Sequence, residues 1–193
     1  SPYDSTMRHV PFGRTGLHVS NLCLGTMTFG YQCDEDTSIA IMDAAAEAGI
    51  TFFDTADIYP LGAPNGQYGT TEEIIGRWLK PNRDRFVLAT KCWGPTGSKP
   101  WHMGNSRHNI MRALDNSLRR LQTDYIDLYQ MHRPDPNTPI EETLRALDDL
   151  VSSGKVRYIG SSNYAGWQVA EAELTSRMHH FVPFVSSQVE YSL

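Results

Sequence analysis

The sequence has few cysteines, no long apolar run and no excess of basic residues, and each shortage excludes a class of protein. Its three cysteines, Cys23, Cys33 and Cys92, form no Cys-x-x-Cys spacing, which argues against a disulfide framework and favours a reducing compartment such as the cytoplasm. No apolar run approaches the roughly 20 residues that span a bilayer. The 17 basic and 22 acidic residues leave a net charge of −5, which disfavours binding to a nucleic-acid backbone.

What remains is the composition of an ordinary globular protein of about one domain. The chain has 193 residues, of which 40% are apolar and 20% are charged. Residues 1–6 are small and polar and lack the basic stretch and apolar core of a signal peptide, so we interpret them as a tag or a disordered leader. We expect residues 7–193 to form a single domain.

Short β-prone segments alternate with helical segments along the rest of the chain. Residues 9–12 and 17–20 predict a β-hairpin at the start. The strands predicted after it are 21–24, 50–53, 86–90, 125–131, 156–160 and 184–189, and the helices are 36–48, 70–79, 107–121, 140–153 and 167–176. Thr70 or Thr71 is the expected N-cap of the second helix, and Ser106 that of the third. The alternation indicates a parallel sheet of βα units, either an open doubly wound sheet or a (β/α)8 barrel.

Two features favour the barrel over the open sheet. No Gly-x-Gly-x-x-Gly follows the first strand, so the dinucleotide-binding fingerprint of the open sheet is missing. In addition, polar residues recur where successive strands end, and in a barrel these ends converge on one active-site mouth. These residues are Asp54, Lys91, His132, Ser162, Asn163 and Gln188, with Tyr59 in the loop after Asp54. A single such residue is usually a helix cap or a solvated loop residue, but the recurrence on successive strands favours a site.

Five motifs that contain these residues occur together and in order. They are Phe53-Asp54-Thr55-Ala56-Asp57-Ile58-Tyr59, Ala89-Thr90-Lys91, Gln130-Met131-His132-Arg133-Pro134-Asp135, the segment 154–163 and Gln188-Val189-Glu190-Tyr191. With this set the chain resembles the aldo-keto reductase family over nearly its whole length. The resemblance implies an α/β fold of the (β/α)8 TIM-barrel type.

We expect this barrel to be incomplete, with about six βα units after the N-terminal hairpin and with its C-terminal part absent. Three explanations stay open: the sequence is part of a longer chain, the protein is truncated, or two chains complete one another's sheet. An incomplete barrel alone is expected to bind cofactor weakly and to be inactive or nearly so.

The resemblance also implies an acid–base set for reducing a carbonyl group. Tyr59 would be the general acid that protonates the carbonyl oxygen, and the Lys91 ammonium would lower the pKa of its phenol. Asp54 would pair with Lys91 and hold it in place, because an unpaired buried ammonium is costly. His132 would hydrogen-bond the carbonyl oxygen and orient the substrate.

The same resemblance implies a nicotinamide cofactor. Ser162, Asn163 and Gln188 match family positions that hydrogen-bond the nicotinamide carboxamide. The implied cofactor is NADP(H), with NAD(H) as the alternative, because the expected site for the adenosine 2′-phosphate lies beyond residue 193. The loop from Pro60 to Gly69 is interpreted as the rim of the substrate site.

The leading hypothesis is therefore an NADP-dependent oxidoreductase that reduces aldehydes or ketones to alcohols. One alternative is a non-catalytic member of the family that binds cofactor or regulates a channel, and another is an aldolase or isomerase that uses Lys91 as a Schiff base. We expect a small carbonyl compound as the partner, and neither nucleic acid nor a membrane. We expect no metal site, since the adjacent His179 and His180 lack the spacing of metal ligands on one helix face.

Overall fold

The computed structural model describes residues 7–64 and 67–191. The interpretation of residues 1–6 as a tag or leader lies outside the described residues. Within the described ranges, no helix has both the length and the apolar character needed to cross a membrane.

The predicted order of strands and helices is present in the structure. The strands are β1 (His9–Pro11), β2 (His18–Ser20), β3 (Cys23–Gly25), β4 (Phe52–Asp54), β5 (Val87–Cys92), β6 (Ile126–Met131), β7 (Val156–Ser162) and β8 (Phe184–Gln188). The helices are α1 (Glu35–Glu47), α2 (Thr70–Leu79), α3 (Arg107–Leu121), α4 (Ile140–Ser152) and α5 (Gly166–His179), and a 3-10 helix follows α2 at Lys80–Arg85. The sequence placed Asp54, Lys91 and Ser162 just after their strands, whereas all three lie within them.

The strands form a short hairpin and one curled parallel sheet. β1 and β2 are antiparallel, and the sheet has six strands in the order β3-β4-β5-β6-β7-β8. The sheet must curl, because Gln188 Nε2 on β8 lies 3.3 Å from Asp54 Oδ2 on β4. In a flat sheet, four strand spacings would separate those strands by about 19 Å. The predicted α/β class is thus confirmed, as an incomplete barrel of six parallel strands with an N-terminal hairpin.

The two faces of the sheet carry different side chains. On the outer face, an apolar layer fills the space between strands and helices, and Phe53 stacks there on Trp78 of α2 with ring centroids 5.3 Å apart. Because side chains alternate along a strand, the register places Asp54, Lys91 and Gln130 on the inner face. The main hydrophobic core therefore lies outside the curl, whereas Asp54, Lys91 and Gln130 lie inside it.

The helix starts only partly follow the capping predicted from the sequence. Ser106 Oγ accepts a hydrogen bond from the N–H of Asn109 at 3.2 Å, which confirms Ser106 as the N-cap of α3. The prediction of Thr70 or Thr71 as the cap of α2 is wrong, because the cap is Gly69 at a φ of 88° and no side chain caps this end. Both threonine hydroxyls donate instead to backbone carbonyls outside the helix.

Candidate active site

The centre of the site is an ion pair between β4 and β5. Lys91 Nζ lies 2.5 Å from Asp54 Oδ2 and also donates to the carbonyl oxygen of Thr55 at 2.9 Å. The lysine side chain is 1% exposed and the aspartate side chain 11%, so protein groups rather than water stabilise both charges. Removing one partner of such a pair leaves the other charge buried, at a cost of about 3–5 kcal/mol. The expected pairing of Asp54 with Lys91 is present in the structure.

Two glutamines complete the surroundings of the Asp54 carboxylate. Gln130 Nε2 donates to Oδ1 at 3.0 Å, and Gln188 Nε2 donates to Oδ2 at 3.3 Å. Sequence reasoning did not assign a role to Gln130. The usable signal was its position on a strand, two residues before His132, where alternation directs a polar side chain to the inner face.

Tyr59 and His132 lie beside this ion pair, just beyond the ends of β4 and β6. The Tyr59 ring centroid is 5.2 Å from Lys91 Nζ and 5.7 Å from the His132 ring centroid, with the two ring planes at 81°. Backbone hydrogen bonds hold both segments: the His132 N–H donates to the Cys92 carbonyl at 3.0 Å, and the Gly69 N–H donates to the Tyr59 carbonyl at 2.9 Å. The structure therefore brings together the four residues expected to form the acid–base set.

Burial controls the protonation of these two rings. Burial raises the pKa of Tyr59 above its ordinary value, and the nearby Lys91 ammonium offsets only part of this rise. The lowered pKa expected from the sequence does not occur, because burial removes hydration from the phenolate and this effect outweighs the attraction of the Lys91 ammonium. Burial also lowers the pKa of His132 to about 4, helped by the positive charges of Lys91 and Arg133. The imidazole is therefore neutral at pH 7, with one nitrogen that donates and one that accepts.

The three residues expected to hold the nicotinamide lie together at the ends of β7 and β8. Ser162 pairs with Gln188 in the register of these strands. Asn163 follows at a φ of 59°, and its Nδ2 donates to Ser162 Oγ at 3.2 Å and to the His132 carbonyl at 3.0 Å. These amide and hydroxyl groups match the donors and acceptor of a carboxamide. In this structure, the amides of Asn163 and Gln188 donate to His132 and Asp54.

A cleft of about 610 Å³ is lined by both chain neighbours of Tyr59, although the Tyr59 side chain itself is not part of its lining. Its lining comes from the predicted rim loop and from the loop after β5, and includes Ile58, Pro60, Leu61, Tyr68, Pro95 and Ser98. Apolar groups dominate this lining, which suits an apolar organic molecule. Residues 65–66 of the rim loop lie outside the described residues. In the described part of the chain, no group of three or more His, Cys, Asp or Glu side chains is arranged to hold a metal ion.

Comparison with known proteins gives a consistent set of relatives. The model of the aldo/keto reductase family matches residues 21–193. An uncharacterized oxidoreductase, YrpG of Bacillus subtilis, is 48% identical in an alignment over 194 residues. The alignment covers 97% of this chain and 59% of that protein. Norsolorinic acid reductase A of Aspergillus parasiticus is 38% identical over 192 residues, which cover 92% of this chain and 48% of that protein. The chain thus spans about half to three-fifths of the length of these relatives.

Proposed function

The chain belongs to the aldo/keto reductase family, and from this premise we propose that it reduces aldehydes or ketones to alcohols as part of a nicotinamide-dependent oxidoreductase. The observation that carries the proposal is the buried Asp54–Lys91 pair beside Tyr59 and His132, at the carboxyl ends of parallel strands. The names of the related oxidoreductase and reductases support the same class of reaction.

Tyr59 is the proposed general acid, and it donates its phenolic proton to the carbonyl oxygen as the alcohol forms. A phenol is a weak acid at neutral pH, and burial weakens Tyr59 further. Lys91 counteracts this effect, because an ammonium 5.2 Å from the ring stabilises the phenolate that remains after proton transfer. Asp54 keeps that ammonium in place, so the acidity of Tyr59 depends on the ion pair as well as on the phenol.

His132 is the proposed second hydrogen-bond donor to the carbonyl oxygen. Its ring meets the Tyr59 ring edge-on, with 5.7 Å between the centroids, so both side chains can serve one small group. Because the lowered pKa keeps the ring neutral at pH 7, it can donate one N–H to the oxygen on which negative charge develops. The proton itself is assigned to Tyr59.

The proposed cofactor is NADP(H), with NAD(H) as the alternative. When bound, the cofactor supplies the hydride, which no protein side chain can provide. Ser162, Asn163 and Gln188 would hold the carboxamide of the nicotinamide through their hydroxyl and amide groups. The present hydrogen bonds of Asn163 to the His132 carbonyl and of Gln188 to Asp54 would compete with carboxamide binding.

The proposed substrate is a small carbonyl compound with an apolar body. The cleft next to the Tyr59 segment is lined mainly by proline and aliphatic side chains and by Tyr68, which favour such a molecule. A small-molecule partner, rather than nucleic acid or a membrane, also fits the net charge of −5. We place the protein in the cytoplasm, because the free thiols of Cys23, Cys33 and Cys92 suit a reducing compartment.

Replacing Tyr59 by phenylalanine tests the proposed acid in the protein at its full natural length. Loss of the phenolic proton should lower kcat for aldehyde reduction by about 10²- to 10⁴-fold, while the Kd for NADPH stays within about twofold. Turnover is followed by nicotinamide absorbance, and binding by tryptophan fluorescence during titration with NADPH and then NADH. The matched control is Tyr125→Phe, because Tyr125 stacks against Arg83 and Arg157 just before β6, at the opposite end of the sheet.

Each outcome separates the competing hypotheses. Wild-type turnover in Tyr59→Phe would reject Tyr59 as the acid. Binding of NADPH by the wild-type protein without reduction of any carbonyl compound would favour the non-catalytic alternative. Trapping of a substrate on Lys91 by borohydride would favour the Schiff-base alternative.

A further inference from the structure

Glu72 is a buried carboxylate that the site described above does not use. Its side chain on α2 has no solvent exposure. It accepts a hydrogen bond from Thr90 Oγ1 at 2.6 Å and from Arg120 Nε of α3 at 2.7 Å. We refer to Glu72, Thr90 and Arg120 as the outer-face triad. A buried ion pair often adds little net stability to a fold. We therefore consider where the Glu72–Arg120 pair lies relative to the site.

The outer-face triad is connected to the backbone near Lys91 and to the backbone near Tyr59. Thr90 directly precedes Lys91 on β5, so the two side chains project from adjacent residues to opposite faces of the sheet. Arg120 lies against Gly69, where a Cβ atom would come within 2.7 Å of Arg120 Cδ. The Gly69 N–H in turn donates to the Tyr59 carbonyl at 2.9 Å. The triad is therefore linked to the backbone of Lys91 through Thr90 and to the backbone of Tyr59 through Gly69.

A second, partly buried ion pair near the same strands provides a comparison. Arg83 Nη2 lies 2.6 Å from Asp127 Oδ2, and the two side chains are 12% and 15% exposed. Asp127 also accepts the N–H of Leu88 at 2.9 Å, so this pair connects β5 and β6. It does so near the amino ends of these strands, away from Tyr59 and Lys91. It therefore serves as a comparison pair at the opposite end of these strands from the site.

We propose that the outer-face triad is a positioning device that sets the distance between Tyr59 and Lys91. The proposal rests on the proposed function, in which the ammonium stabilises the phenolate formed by proton transfer. That stabilisation weakens as the two groups separate. A displacement of about 1 Å can cost about 100-fold in rate when a reacting group is misplaced.

The main test is Thr90→Val in the full-length protein, since valine keeps the shape and removes the hydroxyl that binds Glu72. We expect kcat to fall by about tenfold to 100-fold, with KM for the carbonyl compound and Kd for NADPH within about twofold. Thr90→Ser retains a hydroxyl and should restore most of the lost kcat. Asp127→Asn is the control, because it breaks a partly buried ion pair of the same kind and should lower Tm without lowering kcat.

The pH profile gives a readout that a purely structural role would not change. With Tyr59 as the acid, kcat falls as the pH rises through the pKa of its phenol. A weaker contact with Lys91 raises that pKa, so the alkaline fall of kcat in Thr90→Val should move to higher pH. Thr90→Val suits this measurement because it changes no charge. Glu72→Gln provides a second test of kcat if the valine variant does not yield folded protein.

The results distinguish this proposal from the one on which it rests. If Thr90→Val and Glu72→Gln lower Tm as Asp127→Asn does, with kcat and the pH profile unchanged, the positioning role is overturned. If Tyr59→Phe retains wild-type turnover in the same assay, the proposed function fails and the positioning role falls with it. A loss of kcat in both triad variants, with rescue by Thr90→Ser, supports the proposal.

Discussion

The two proposed parts of the site are held differently. We call the proposed acid–base residues (Asp54, Tyr59, Lys91 and His132) the acid–base side, and the residues proposed to hold the carboxamide (Ser162, Asn163 and Gln188) the cofactor side. On the acid–base side, Lys91 is 1% exposed and its charge is matched by Asp54 at 2.5 Å. On the cofactor side, Asn163 is exposed and Gln188 lies on β8, an edge strand of the described sheet. Buried charges must be held by protein groups, whereas neutral amides tolerate water. The acid–base geometry is therefore organised before any ligand binds.

Two hydrogen bonds connect these two sides. Gln188 Nε2 donates to Asp54 Oδ2 at 3.3 Å, and Asn163 Nδ2 donates to the His132 carbonyl at 3.0 Å. Each such bond contributes about 0.5–1.5 kcal/mol net, compared with about 3–5 kcal/mol for breaking a buried ion pair. The cofactor side can thus rearrange at small cost, while the acid–base side cannot.

Lys91→Met should produce the largest effect, and it tests the claim that the acid–base side depends on a buried charge pair. The variant removes the ammonium and leaves the Asp54 carboxylate with only neutral donors around it. We expect a loss of about 3–5 kcal/mol in the free energy of unfolding and a fall of about 100-fold or more in kcat. Urea denaturation and the reductase assay measure the two quantities.

Two further variants show whether the loss comes from the uncompensated charge. Lys155→Met removes an exposed lysine that lies 2.9 Å from Asp115, and it should cost less than about 1 kcal/mol. Adding Asp54→Asn to Lys91→Met should recover part of the stability, because the unpaired carboxylate is then neutral. Equal losses in Lys91→Met and Lys155→Met would contradict the distinction between the two sides.

The relative positions of the proposed acid–base residues followed most directly from the sequence. Asp54, Lys91 and His132 each stand at the end of an apolar segment, and the carboxyl ends of parallel strands meet at one mouth. Placing them together required only the order of the elements and the alternation of strand side chains. For the same reason, the sheet class and its hairpin followed from the sequence pattern.

The sequence pattern could not predict the contacts that depend on how strands and helices pack in three dimensions. The bond from Gln188 to Asp54 requires the curl of the sheet, which joins strands that are distant in order. The burial of Glu72 depends on how α3 packs beside α2, and no periodicity in either helix specifies its partner. The net pKa shift of Tyr59 required the degree of burial, which the motif does not contain.

Gln188→Leu should produce an intermediate effect, and it tests whether Gln188 acts on the cofactor side. If its amide holds the carboxamide, loss of one hydrogen bond should raise the Kd for NADPH by about tenfold at most, with kcat less affected. Fluorescence titration and saturation kinetics in the full-length protein separate the two effects. An unchanged Kd with a reduced kcat would instead show that Gln188 serves the acid–base side through Asp54.

The smallest expected effect concerns His132, whose ring contacts the acid–base side and whose carbonyl contacts the cofactor side. Its pKa of about 4 in the folded chain lies below the ordinary value of 6.5. The unfolded chain therefore binds the proton more readily. The contribution of the neutral ring to stability is complete well above pH 6.5 and is lost as the pH falls toward about 4.

Between pH 6.5 and 5.5, the wild-type protein should lose about 1 kcal/mol of unfolding free energy relative to His132→Gln, which has no titrating ring. Urea denaturation of both proteins at the two pH values measures this difference. The same stability change in both proteins would mean that the folded chain hydrates the His132 ring as well as the unfolded chain does. The His132 ring would then be as hydrated as the exposed amides of Asn163 and Gln188. His132 would have to be grouped with the cofactor side, and Asp54, Tyr59 and Lys91 alone would form the buried acid–base side.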